Sequence, residues 1–184
     1  MKKLATHLRC MQLYTHNAHN MCKGDTFYAD HETLGELYPV YEAAYDGVVE
    51  RMIGLGKEID LASVQKEAAD MCSEKGVATS FSDAFKNILE CEQELCKVLD
   101  EANEGASLGT QNFVQGLADQ SEMRQYQLQQ RTGSSPSASA PEKEEDKKEE
   151  DKEEKKEAQA SNKINKEKSK EVKSASFKLL SAGK

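Results

Sequence analysis

The sequence contains no tryptophan, only 6% aromatic residues and three prolines. It also lacks any apolar run that approaches the roughly 20 residues of a membrane span. The first residues begin like a signal peptide, but His7 and Arg9 interrupt the apolar stretch before it reaches the required length. These absences predict a soluble, cytoplasmic protein with no contact with a membrane.

Paired cysteine motifs are also missing. The five cysteines, at positions 10, 22, 72, 91 and 96, form no CxxC pair, and their number is odd. This pattern argues against a disulfide framework and against a zinc ribbon. Buried thiols in a reducing compartment are the interpretation that remains.

The last third of the sequence has very few large apolar residues and is rich in Lys and Glu. Such a segment cannot bury enough surface to offset the entropy lost on ordering. We therefore expect a folded domain over residues 1–131 and a disordered, low-complexity tail over residues 132–184. Residues 1–141 hold 12 Lys and Arg against 21 Asp and Glu. This acidic balance favours cations and disfavours nucleic acid.

Apolar residues recur with helical spacing in four long segments, at about residues 3–21, 27–55, 81–102 and 108–130. A shorter helix is predicted at 61–72, and no segment alternates as a strand does. Two long helices, a long crossover and two further long helices form the pattern of an all-α, ferritin-like four-helix bundle. A plain structural bundle without a metal is the alternative. In the last segment the predicted apolar face consists of Phe113, Val114, Leu117, Met123, Tyr126 and Leu128.

All four histidines lie in the first two predicted helices, at His7, His16, His19 and His31. A di-iron site inside one bundle needs Glu-x-x-His on two helices and Glu on the other two. The third and fourth long helices have no histidine. A metal site of this chain would therefore take its imidazoles from the first two helices alone.

Asp46 and Glu50 are four residues apart, so they project from one face of the second helix. His31 lies 15 residues before Asp46, about four turns away, so one chain cannot bring both to one ion. Two antiparallel chains can, and His19 would join His31 if the first two helices form a hairpin. Two imidazoles and two carboxylates suit Fe(II).

The spacing of these ligands resembles that of the Dps mini-ferritins. In that family a second His lies 12 positions after the first His. An Asp and a Glu lie 27 and 31 positions after that same first His. Here these positions are His19, His31, Asp46 and Glu50. Three neighbouring pairs also match, namely Lys23-Gly24, Phe27-Tyr28 and Glu50-Arg51. The resemblance extends over residues 1–131, although its specific motifs lie within 15–51.

The resemblance implies twelve subunits in a hollow shell that stores iron and protects against oxidation. Iron sites would lie at two-fold interfaces, with His19 and His31 from one subunit and Asp46 and Glu50 from its neighbour. These four residues would be both the metal ligands and the catalytic residues of a ferroxidase that uses peroxide or oxygen. Gly35 stands where the family usually has an acidic ligand, which predicts a weakened iron position and slow or absent turnover.

Two alternatives concern the tail. Family members often bind DNA through Lys-rich termini, and the candidates here lie between Lys163 and Lys173. Residues 176–184 contain an apolar patch that is typical of a peptide docking on a protein partner. The chain would then be a DNA-binding or scaffold protein with a degenerate metal site. The candidate DNA-contacting residues are Lys163, Lys166, Lys168, Lys170 and Lys173.

Overall fold

The computed structural model describes residues 1–134, which form five α-helices. The predicted all-α, four-helix bundle with a short crossover helix is confirmed, and each helix end lies within two residues of its predicted position. The helices are α1 (Lys2–Met21), α2 (Phe27–Gly54), α3 (Leu61–Glu74), α4 (Phe81–Asn103) and α5 (Leu108–Thr132).

Side-chain caps and a glycine explain several of these boundaries. The Ser80 hydroxyl accepts a hydrogen bond from the Asp83 amide at 3.1 Å, and Asp60 caps α3 in the same way. Each cap satisfies an amide that has no partner within its helix. Gly133 follows α5 with a φ of 67°, in the left-handed region where glycine carries no steric penalty.

The core of the bundle lies around α1, which packs against α2, α3 and α4, while α4 pairs with α5. The short connection after Met21 folds α1 and α2 into a hairpin, which is the condition that the sequence analysis set for bringing His19 to His31. The end of α1 therefore lies beside the beginning of α2. The largest fully buried side chains include Leu4, Leu8, Met11, Tyr14, Leu34, Tyr41, Phe85, Ile88, Leu95 and Leu99.

The buried face of α5 differs from the predicted apolar face. Met123 and Tyr126 were expected in the core, but each is 58% exposed. Ser121 and Gln125 are buried instead. The prediction was wrong because the Ser121 hydroxyl donates to a buried carboxylate and the Gln125 amide donates to the main-chain carbonyl of the same residue. These contacts set the orientation of α5 against its weak apolar pattern.

That carboxylate belongs to Glu92, which is fully buried on α4. The Tyr41 hydroxyl donates to it at 2.6 Å, the Ser121 hydroxyl donates at 2.6 Å, and Arg124 forms an ion pair with it. Burial and the charge of Glu92 raise the pKa of Tyr41 well above its ordinary value. A buried charge is tolerated when it is paired and fully hydrogen-bonded. The cluster thus ties the middle of α2 to α4 and α5.

The predictions for the tail lie outside the described residues. These are its disorder, DNA binding by Lys163 to Lys173 and docking by residues 176–184. The domain boundary after residue 131 stays a prediction. Within residues 1–134, no helix combines the length and the apolar character that crossing a bilayer requires.

Candidate functional site

The rings of His19 and His31 stack on each other, with centroids 3.8 Å apart and an angle of 22° between the planes. His19 lies in the last turn of α1 and His31 near the start of α2. The Nδ1 atom of His19 is 2.9 Å from the carbonyl oxygen of His31, and the Nδ1 atom of His31 is 2.9 Å from that of His19. The hairpin therefore brings the two predicted imidazole ligands together.

This reciprocal pairing determines the tautomer of both rings. A carbonyl oxygen can only accept, so each Nδ1 carries a proton and donates it. In a neutral imidazole the lone pair then lies on Nε2. A hydrogen bond at one ring nitrogen is also how proteins orient a metal-binding histidine. Among residues 1–134 neither Nε2 atom has a hydrogen-bond partner, so two oriented nitrogen donors are free to bind.

Further aromatic rings surround the pair. Phe27 stacks on His31 with centroids 4.7 Å apart, and Tyr38 meets His19 edge-on at 5.6 Å. Tyr38 also stacks with His16 at 4.3 Å. These contacts were not predicted from the sequence. The four-residue spacing of Phe27 and His31 was the available signal, since such pairs are neighbours on a helix.

Gly35 lies directly under the His19 ring. A Cβ atom at this position would be 3.2 Å from Cε1 of His19 and 3.4 Å from its Nδ1. Such a contact is tight enough to push the ring away. The glycine therefore permits the close approach of His19 to the backbone of α2, a packing role that the sequence alone did not indicate.

The predicted carboxylate ligands lie elsewhere on the subunit. Asp46 and Glu50 are exposed in the second half of α2, and Asp46 lines a surface cleft with Arg9, Pro39 and Glu42. Asp46 lies 15 residues and Glu50 lies 19 residues after His31, which correspond to about 22 Å and about 28 Å along the helix. Within residues 1–134 of one chain, no three His, Cys, Asp or Glu side chains are grouped to hold a metal ion. The two predicted imidazole ligands and the two predicted carboxylate ligands of one chain are therefore far apart.

Comparison with known proteins agrees with this architecture. A family model described as a ferritin-like domain matches residues 2–134. The solved structure of antigen TpF1 from Treponema pallidum is similar with a TM-score of 0.59 and 19% sequence identity, over 71% of this chain and 89% of that one. At this identity the likeness shows the fold alone. A search of curated proteins found no match. On the extent of the family match, the chain belongs to the ferritin-like domain family.

Proposed function

We propose that this protein is a Dps-like mini-ferritin, which oxidises Fe(II) at sites shared between two subunits, stores the iron and protects against oxidation. His19 and His31 of one subunit would bind iron together with Asp46 and Glu50 of the partner subunit. The observation that carries this proposal is the reciprocal Nδ1 pairing of His19 and His31, because it orients both rings and leaves the Nε2 atom of each as the nitrogen that can bind a metal.

The surface of α2 supports an antiparallel pairing of two copies. If His31 of one subunit lies opposite residues 46–50 of the partner subunit, the residue numbers of two positions that face each other add up to about 77–81. This register brings Tyr28 opposite Ile53, and these side chains are 89% and 59% exposed in the subunit. Burying such apolar surfaces against each other stabilises an interface. A two-fold symmetric pair makes this contact twice, once at each end of the interface between the two α2 helices.

The ligand set suits the reaction. Nitrogen and carboxylate donors bind Fe(II), and the carboxylates offset the additional positive charge of Fe(III). In the balanced reaction, two Fe(II) ions each give one electron to hydrogen peroxide, which takes up two protons and forms two waters. Iron is the substrate of this chemistry, and the protein residues hold it in place.

Anaerobic Fe(II) titration of the full-length protein, followed by peroxide, tests the proposal. We expect tight Fe(II) binding and rapid oxidation, both lost in His31→Ala and in Asp46→Ala. Glu36→Gln is the matched control, since Glu36 is exposed on the side of α2 that lies beside α5. Unchanged iron binding in both alanine variants would rule out the proposed site.

Light scattering on the same samples measures the size of the assembly. A shell of twelve subunits is expected from the resemblance, whereas the iron site itself needs only the two-fold pair. A monomer that oxidises iron at the full rate would contradict the shared site.

A further inference from the structure

Five aromatic rings form a continuous row along the contact between α1 and α2, and the two stacked histidines lie within it. In order, the rings belong to Phe27, His31, His19, Tyr38 and His16. The centroids of neighbouring rings are 4.7, 3.8, 5.6 and 4.3 Å apart. Tyr38 is the one ring of the five with a phenol, a group that can lose one electron together with its proton.

Tyr38 contacts His19 directly. Its ring meets the His19 ring edge-on, with an angle of 60° between the planes, which is an arrangement that aromatic pairs favour. It also stacks on His16 with the planes 21° apart, and His16 is exposed. Tyr38 itself is half-buried. Because the residue is held between two rings and still partly exposed, water can take the proton that its phenol releases on oxidation.

The other tyrosines of residues 1–134 lie in different surroundings. Three of them have hydrogen-bonded hydroxyls and no ring contact with the row, namely Tyr14, Tyr41 and Tyr45. Tyr126 lies on α5, and Tyr28 meets the row only at Phe27. Tyr38 is therefore the tyrosine whose ring contacts a proposed iron ligand.

The proposed reaction requires electrons in pairs, whereas iron supplies them singly. Hydrogen peroxide takes up two electrons, and one Fe(II) ion gives only one. A site that holds a single Fe(II) ion would convert peroxide into hydroxide and a hydroxyl radical. The sequence favours such partial occupancy, because Gly35 provides no carboxylate at a position where an acidic ligand was expected.

We propose that Tyr38 supplies the second electron when a single Fe(II) ion is bound, and that this electron passes through the ring of His19. One Fe(II), the Tyr38 phenol, one hydrogen peroxide and one proton then give one Fe(III), the Tyr38 phenoxyl radical and two waters. A second Fe(II) and a proton restore the phenol and leave another Fe(III). Together the two steps equal the proposed reaction and release no hydroxyl radical. This inference rests on the proposed iron site.

Electron paramagnetic resonance on rapidly frozen samples provides the test. The full-length protein is loaded anaerobically with less than one Fe(II) per subunit and mixed with excess peroxide, so that no second Fe(II) remains to reduce the radical. We expect a tyrosyl radical in the wild type. In Tyr38→Phe this signal should be lost, and a spin trap should capture more hydroxyl radical.

Two comparisons separate electron donation from packing. Tyr38→Phe keeps the ring contacts with His16 and His19, so its Fe(II) affinity should equal that of the wild type. Tyr126→Phe removes a phenol that is 58% exposed on α5, and this control should keep the radical signal. A signal that Tyr126→Phe also loses would contradict the assignment to Tyr38.

The outcomes distinguish this inference from the proposed function. If His31→Ala and Asp46→Ala abolish Fe(II) binding while Tyr38→Phe keeps the radical, or the wild type forms none, the inference is overturned and the proposed function stands. If both alanine variants bind Fe(II) normally, the proposed function fails, and this inference fails with it. Should Tyr38→Phe assemble poorly, Tyr38→Trp introduces the only indole of the chain. A radical that stays tyrosyl in that variant would overturn the inference.

Discussion

His19 and His31 orient each other, because the ring of each donates a hydrogen bond to the main-chain carbonyl of the other at 2.9 Å. These two hydrogen bonds connect the end of α1 to the start of α2, and each of the two residues also has a ring nitrogen that can bind a metal. Loss of either ring removes one nitrogen donor and the stacking contact, whereas the other ring keeps its hydrogen bond to a main-chain carbonyl.

Mixed assemblies test whether each site takes residues from two chains. If the proposed site is shared, His31→Ala and Asp46→Ala subunits should be inactive alone, whereas a heterodimer of the two should have one site with both its histidines and both its carboxylates intact. Random reassembly of equal amounts should restore about a quarter of the wild-type Fe(II) sites, because half of the dimers are mixed and each has one intact site. Peroxide-dependent Fe(II) oxidation after unfolding and reassembly provides the measurement. No recovery in well-assembled mixtures would mean that each site belongs to one chain.

Substitutions at Gly35 separate crowding from charge. Gly35→Ala places a Cβ atom 3.2 Å from the His19 ring, so the ring shifts and Fe(II) affinity should fall several-fold. Gly35→Asp causes the same crowding but adds a carboxylate, and its affinity should exceed that of Gly35→Ala by about tenfold. Anaerobic Fe(II) titration compares the two variants with the wild type. Equal affinities in both variants would exclude position 35 as a place from which a carboxylate reaches the iron.

Breaking the buried cluster around Glu92 should destabilise the bundle. Arg124→Ala leaves the Glu92 carboxylate buried without its cation, which costs about 3–5 kcal/mol of unfolding free energy. Tyr41→Phe removes one hydrogen bond to that carboxylate and costs about 1–3 kcal/mol. Urea denaturation followed by circular dichroism measures both losses. Met123→Ala, at a residue 58% exposed on α5, is the control and should change stability by less than about 0.5 kcal/mol.

The ion pair between Asp30 and Arg131 makes the free energy of unfolding depend on pH. Hydrogen bonds from Arg131 lower the pKa of Asp30 below its ordinary value of 3.8. A carboxyl whose pKa is lowered by folding stabilises the folded state above its unfolded pKa, and this contribution disappears as the pH falls through the folded pKa. Arg131→Ala should therefore reduce stability at pH 7, and the difference from the wild type should shrink below about pH 3.8.

Thermal unfolding at a series of pH values measures this difference. Lys66→Ala, which removes an exposed ion pair with Asp70, is the control and should leave stability nearly unchanged at every pH. A difference between Arg131→Ala and the wild type that stays constant down to pH 2 would indicate that Arg131 acts through its packing on Phe85 and not through the charge of Asp30.

The helices were predictable because their signals are local. Helical spacing of apolar residues, the cap at Ser80 and the glycine after α5 depend on neighbours within one or two turns. Glu92 was harder to interpret. It falls on the apolar face of α4, and its burial depends on Tyr41 and Arg124, which are far away in sequence.

The four predicted ligands could be chosen from their types and spacing, but their arrangement could not. Sequence separation indicated that His31 and Asp46 of one chain do not share an ion, because a helix is rigid over that length. It gave no information on the stacking of His19 with His31, on the shared tautomer or on the reason for a glycine at position 35. Those features depend on the contact between α1 and α2.

Spacing along the chain was enough to predict the number and extent of the helices in residues 1–134, and it also indicated how far His31 lies from Asp46, since helical geometry follows from that spacing. Contacts between helices determine which polar groups the core accepts and which nitrogen of each imidazole is free. Those properties depend on hydrogen bonds between groups on different helices. The energies of these hydrogen bonds depend on interatomic distances that cannot be inferred from the spacing of residues along one helix.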